Sequence, residues 1–142
     1  MNSRLELRVP PDPRYAKTVR EAMAGFGCLN GVGEDDIEAL LAAVGEALAN
    51  AIEHARASRD IEVIVEIDDA RFIATVTDHG RGCSRIPRGT APLPEVLAER
   101  GRGIPIMQRC THLFEVRSTP GRGTTVVLGR YLRVRQETSA IA

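Results

Sequence analysis

Residues 45–55 read GEALANAIEHA, and just upstream residues 37–44 read IEALLAAV. The stretch opens on Glu34, Asp35 and Asp36, three acids that suit the positive end of a helix macrodipole. Together they predict one long helix from about residue 34 to about residue 57. At about 100° per residue, Ile37, Leu41, Val44, Leu48, Ile52 and Ala55 fall within about 80° of arc, and that stripe is the predicted core face. Glu46 lies about 180° from Ile37 and Asn50 about 220° from it, on the opposite side. A side facing bulk water would carry Lys, Glu and Arg freely. Here Ala39, Ala42, Ala43 and Ala49 surround the two polar residues instead. Small neighbours suit close approach by something else, so this face is expected to line a cleft.

Working outward, LELRV at residues 5–9 predicts a short strand with Leu5, Leu7 and Val9 on one face. Pro10, Pro11 and Pro13 end it. Asp12 is a candidate N-cap with Pro13 at the first helical position, and the helix is expected to run to about Phe26. After the long helix, IEVIVEID (61–68) and RFIATVTD (71–78) predict a β-hairpin turning at Asp68, Asp69 and Ala70. Residues 79–100 are rich in Gly, Pro and Arg and are expected to form a loop with one helical turn near residues 94–99. A short helix is predicted over about residues 103–110, with Pro105 tolerable in its first turn. Strands at about 112–118 and 123–131 flank the turn TPGRG. This order predicts an α+β fold, a two-layer sandwich of a mostly antiparallel sheet with helices packed on one face. Residues 1–134 are read as one domain and 135–142 as a frayed tail.

A chain of 142 residues can bury a proper core. Its 19 basic and 19 acidic residues balance, so no polyelectrolyte partner and no direct nucleic-acid contact are expected. Cys28, Cys83 and Cys110 lack zinc-ligand spacing and read as reduced thiols. The N-terminus has no signal-peptide h-region, and no apolar run approaches the roughly 20 residues a membrane span needs. The expectation is a soluble, cytoplasmic protein with no membrane partner. His54 reads as a structural hydrogen-bonder, His79 as an exposed loop residue and His112 as structural at a strand start.

Glycine clusters follow the long helix: Asp78-His79-Gly80-Arg81-Gly82, Gly101-Arg102-Gly103 and Gly121-Arg122-Gly123-Thr124. One such cluster means little, because glycine serves turns anyway. Several of them beside an isolated Glu and Asn point to nucleotide binding. Asp78 ends a strand, where its carboxylate can accept a hydrogen bond from an exocyclic amine such as that of adenine. Gly80 and Gly82 let the backbone pass close to a flat base. Gly101 and Gly103 precede a helix whose N-terminal N–H groups form an anion site for a di- or triphosphate. Asn50 offers a neutral oxygen to Mg²⁺, which takes few protein ligands beside water and phosphate oxygens. Glu46, one turn earlier, can take a proton from an attacking hydroxyl or water.

These residues resemble the Bergerat-fold ATPases, the superfamily of gyrase, heat-shock, histidine-kinase and mismatch-repair ATP-binding domains. Within it the resemblance is closest to the stand-alone anti-sigma-factor serine kinases of bacteria. The N-box matches Glu46, Asn50, Ala51 and His54. The D-x-G-x-G box matches Asp78, Gly80 and Gly82, the G-R-G box Gly101, Arg102 and Gly103, and the G-x-G-T box Gly121, Gly123 and Thr124. The resemblance implies that Glu46 is the catalytic base, Asn50 the Mg²⁺ ligand and Asp78 the adenine-reading acid. It implies that Gly82 lies against the base. Gly101, Arg102, Gly103 and Ile104 would border the phosphates, and Thr124 would support the Asp78–water–adenine contact. It further implies a homodimeric kinase that binds ATP and Mg²⁺, phosphorylates a serine of an anti-anti-sigma partner and sequesters a sigma factor. The alternative is a non-catalytic nucleotide-binding module that acts by sequestration alone. Cys83 and Pro105 depart from the family pattern, at the loop and at the short helix.

Overall fold

The computed structural model describes residues 2–54, 59–80 and 103–133. Strand β1 (Ser3–Val9) alternates, with Leu5, Leu7 and Val9 against the core and Arg4, Glu6 and Arg8 exposed. The Asp12 carboxylate accepts the Arg14 N–H at 3.0 Å and caps a single 3-10 turn, Pro13–Tyr15. The α-helix proper, α1 (Ala16–Leu29), follows that turn and outlasts the expected end at Phe26. Its stop is Asn30, whose side-chain amide donates to the Phe26 carbonyl at 2.9 Å, with Gly31 behind it at φ 75°.

Helix α2 (Glu34–His54) is the long helix, but its core face is turned from the predicted stripe. The fully buried residues are Leu40, Ala43, Val44, Ala47, Leu48 and Ala51, while Ile37, Leu41 and Ile52 are only partly buried. On the same wheel the buried arc is centred roughly 60–80° closer to Asn50 than the arc of large side chains. The cause is contact on several sides: α1, the sheet and a later short helix all pack on α2, and alanines fit where the approach is closest. Ala43 is therefore core rather than cleft lining, and Asn50 sits at the margin of the core, 8% exposed. Ala55, the last member of the predicted stripe, lies outside the described residues.

Strands β2 (Ile61–Ile67) and β3 (Arg71–Asp78) form the hairpin. The Asp68 carboxylate accepts the N–H groups of Ala70 and Arg71, each at 2.7 Å, and fixes the turn. Helix α3 (Gly103–Cys110) carries Pro105 as its third residue, and β4 (Leu113–Thr119) and β5 (Gly123–Tyr131) complete the sheet. The order is β1-β2-β3-β5-β4 and every pairing is antiparallel. Val63, Val65, Phe72, Ala74, Val76, Val126 and Leu128 line one face and meet Val19 and Met23 of α1, the α2 core residues, and Ile104 and Met107 of α3. Burying a side chain such as Phe72 or Leu128 contributes about 1.5–3 kcal/mol. The fold is the expected α+β sandwich, with the three α-helices of the described residues on one face.

Candidate functional site

Parity along β3 places Asp78 in the same inward row as Phe72, Ala74 and Val76, so the strand ends with a carboxylate in a core-facing position, 6% exposed. Its neighbours are built to hold it. Oδ1 accepts the Gly80 N–H at 2.9 Å and the Thr124 N–H at 3.3 Å, the latter from the residue paired with Asp78 across the β3–β5 ladder. Gly123 has φ 105°, and a Cβ there would overlap the Asp78 carbonyl oxygen, so only glycine lets β5 come this close. The Thr124 hydroxyl is held in turn by Ser118, Oγ to Oγ1 at 3.1 Å. The second oxygen of Asp78, Oδ2, has no hydrogen-bond partner among the described residues. Burial pushes the Asp78 carboxyl above its ordinary range. The two N–H bonds, and then the charges of His54 and His79, pull it back part of the way.

The second half of the site lies where α3 meets α2. Gly103, the first residue of α3, packs against the Glu46 and Asn50 side chains. A Cβ on it would stand 3.3 Å from Glu46 Oε2 and 3.7 Å from Asn50 Nδ2. The first N–H groups of a helix have no intrahelical acceptor, and the positive end of its dipole is there. Three features thus adjoin one another: a carboxylate, a carboxamide and a helix N-terminus. Ile104 and Met107, each 1% exposed, key α3 into the core and set its position. The Ile104 side chain is therefore part of the core.

His54 is the last residue of α2 and is exposed. It follows Asn50 by one turn of α2, so both point along the same side. Helix α2 packs along β3 and β5. His79 is not free in solvent as expected; its Nε2 lies 3.7 Å from Glu62 Oε2. His112 is structural as expected: Nδ1 accepts the Tyr131 N–H at 2.9 Å and the rings stack.

Of the residues singled out in the sequence, Glu46, Asn50 and Gly103 come together, and Asp78, Gly80, Gly123 and Thr124 come together. Gly82, Gly101 and Arg102 lie outside the described residues, as does the predicted turn at residues 94–99. Ser118 was missed, although the tight TPGRG turn between β4 and β5 sets the register that pairs it with Thr124. Among the described residues no group of three or more His, Cys, Asp or Glu side chains could hold a metal ion. A neutral Asn oxygen beside a carboxylate and a helix N-terminus suits a Mg²⁺ carried largely by phosphate oxygens, so the residues fit that ion.

The fold thus builds two polar clusters, a buried acid held at the end of β3 and a Glu–Asn pair under the N-terminus of α3. A family model of the histidine kinase-like ATPase domain matches residues 9–130. The chain belongs to the histidine kinase-like ATPase family, and membership implies ATP binding. It is 29% identical over 138 residues to the serine-protein kinase RsbW of Bacillus velezensis, covering 90% of this chain and 85% of that one. It is 28% identical over 146 residues to the anti-sigma F factor of Pasteuria penetrans, covering 98% of this chain and 97% of that one. The crystal structure of the RsbU and RsbW domains of Rv1364c from Mycobacterium tuberculosis matches with a TM-score of 0.70 over 92% of this chain at 22% identity, which shows the shared fold. This chain spans 33% of that longer protein. No helix among the described residues is long and apolar enough to cross a membrane.

Proposed function

We propose that the chain is an ATP-dependent protein-serine kinase that acts as an anti-sigma factor. It phosphorylates a serine of an anti-anti-sigma partner and sequesters a sigma factor, as a homodimer. The observation that carries this reading is the meeting of Glu46, Asn50 and the first residue of α3, beside a buried Asp78 held by Gly80 and Thr124 at the end of β3. The similarity to proteins named serine-protein kinase and anti-sigma F factor supports the choice of acceptor and partner.

Asp78 Oδ2 accepts the exocyclic amine of adenine, while Oδ1 stays fixed by Gly80 and Thr124. The N–H groups at the start of α3 face the phosphates, with Gly101 and Arg102 leading into them. Asn50 would hold Mg²⁺, which would neutralise phosphate charge. Glu46 takes the proton of the acceptor serine hydroxyl. The serine oxygen then bonds to the γ-phosphorus, the bond from that phosphorus to the β–γ bridging oxygen breaks, and ADP leaves. Phosphoryl transfer asks mainly for positioning and charge neutralisation, which a domain of this size supplies.

Incubation with γ-labelled ATP, Mg²⁺ and a candidate anti-anti-sigma protein tests the reading. Acid-stable label on a partner serine, lost in Glu46→Gln, supports it. Tight partner binding with no transfer replaces it with the sequestering module. Acid-labile label on a histidine replaces it with a phosphotransfer domain of the histidine-kinase kind.

A further inference from the structure

Arg130 breaks the pattern of its strand. On β5 the inward row runs Thr124, Val126, Leu128 and then Arg130, whose ladder partner on β3 is the fully buried Phe72. A guanidinium in that row needs partners, and it has two on different helices. Nε donates to Asp36 Oδ1 at 2.9 Å, in the first turn of α2, and Nη1 donates to the carbonyl of Cys110 at 3.2 Å, the last residue of α3. The pair is partly buried, with side chains 19% and 22% exposed. A cation at the C-terminus of α3 also meets the negative end of that helix's dipole.

The same region is tied down twice more. The Thr111 hydroxyl donates to the Met107 carbonyl at 2.6 Å, and the His112 N–H donates to the Gly129 carbonyl at 2.8 Å. So α3 is anchored at its C-terminal end, while its other end rests on Glu46 and Asn50. Asp36 and Glu46 lie toward opposite ends of α2, so α3 lies antiparallel along it. A helix of 8 residues is about 12 Å long. A tilt of about 10° about the anchored end would move its first N–H groups by about 2 Å, more than a phosphate site tolerates.

We propose that Arg130 is a positioning residue for the phosphate-binding end of the ATP site. It acts through α3 and touches no ligand itself: its two-helix clamp sets the distance from the α3 N-terminus to Glu46 and Asn50. The inference rests on the ATP reading of that site.

The test uses the full chain as Arg130→Met, Arg130→Lys and Asp36→Asn, with folding checked by circular dichroism. Hydrogen exchange in nucleotide-free protein reads the clamp, and affinities for ATP–Mg²⁺ and for adenosine read its effect. Arg130→Met should speed exchange in α3 selectively, relative to the central strands β2 and β3. It should weaken ATP about tenfold or more and leave adenosine within about twofold, since adenosine carries no phosphate for α3 to meet. Arg130→Lys keeps the charge and one donor and should fall between. Asp36→Asn keeps the bond to Cys110 and a neutral acceptor for Nε, so it loosens only the α2 arm of the clamp and should weaken ATP less than Arg130→Met does. Unchanged α3 protection in Arg130→Met overturns the clamp. Lost protection with ATP and adenosine weakened equally, or ATP unaffected, overturns the positioning role. A parent that binds neither ligand refutes the ATP site instead, and the exchange measurement still decides whether Arg130 holds α3.

Discussion

Replacing Asp78 by Asn tests the adenine half of the site with almost no change in shape. The Asn oxygen can keep the N–H bonds from Gly80 and Thr124 that Oδ1 accepts now, so the β3–β5 junction survives. The other position, Oδ2, becomes an amide N–H₂. Facing the exocyclic amine of adenine, it sets donor against donor. The lost bond to a charged acceptor is worth about 1.5–3 kcal/mol, and an unsatisfied buried donor costs about 1–3 kcal/mol. The low ends together give about 2.5 kcal/mol, or about 70-fold weaker ATP binding. GTP presents a carbonyl there and should lose little, so the preference for ATP collapses. Stability should move the other way. Burial raises the Asp78 carboxyl in the folded chain, so its contribution is fully present below the ordinary value of 3.8 and is lost as pH rises through the raised one. Asp12 and Asp68, lowered chiefly by backbone N–H bonds, act in the opposite sense in parent and variant alike, so the difference between the two curves isolates Asp78. Calorimetric titration with ATP and GTP, and urea midpoints across the acid range, measure both effects. ATP affinity within about threefold of the parent's, or parallel pH–stability curves, would refute this account of Asp78.

Asn50→Ala should abolish Mg²⁺-dependent ATP binding while the far-ultraviolet spectrum stays native, and parent-like ATP–Mg²⁺ affinity would remove Asn50 from the metal site. Glu46→Gln should keep ATP affinity within about threefold yet slow transfer to the partner serine by about 100-fold or more, the usual worth of a positioned base. Transfer at the parent rate would mean that another group takes the proton. Gly123→Ala should lower the urea midpoint well beyond the roughly 1 kcal/mol of an ordinary glycine effect, because its φ of 105° and the Asp78 carbonyl both exclude a Cβ. An unchanged midpoint would contradict the close approach of β5 to β3.

The element order and the one-sided packing were legible because each strand alternates and each turn carries its own residues, as at Asp68 and TPGRG. The Glu46–Asn50 pair was legible as polar residues among alanines. The orientation of α2 was not: counting large apolar side chains finds Ile37, Leu41 and Ile52, whereas the closest packing falls on Ala43, Ala47 and Ala51. Nor did the sequence tell that α3 would seat Gly103 on that pair, since docking between helices leaves no local pattern. One signal was available and went unread. In the run VVLGRY, Arg130 occupies the inward phase set by Val126 and Leu128, and a charge in that phase implies a partner across the core.

We propose that the Glu46–Asn50 side of α2, the start of α3 and the buried Asp78 together hold ATP and its metal. A crystal structure of the chain with Mg²⁺ and a non-hydrolysable ATP analogue tests it most directly. The expected result is the adenine amine at about 2.7–3.2 Å from Asp78 Oδ2, phosphate oxygens against the first N–H groups of α3, and the metal on the Asn50 oxygen. An analogue bound elsewhere, or one whose base contacts Asp78 while its phosphates point away from Asn50 and Gly103, would contradict it.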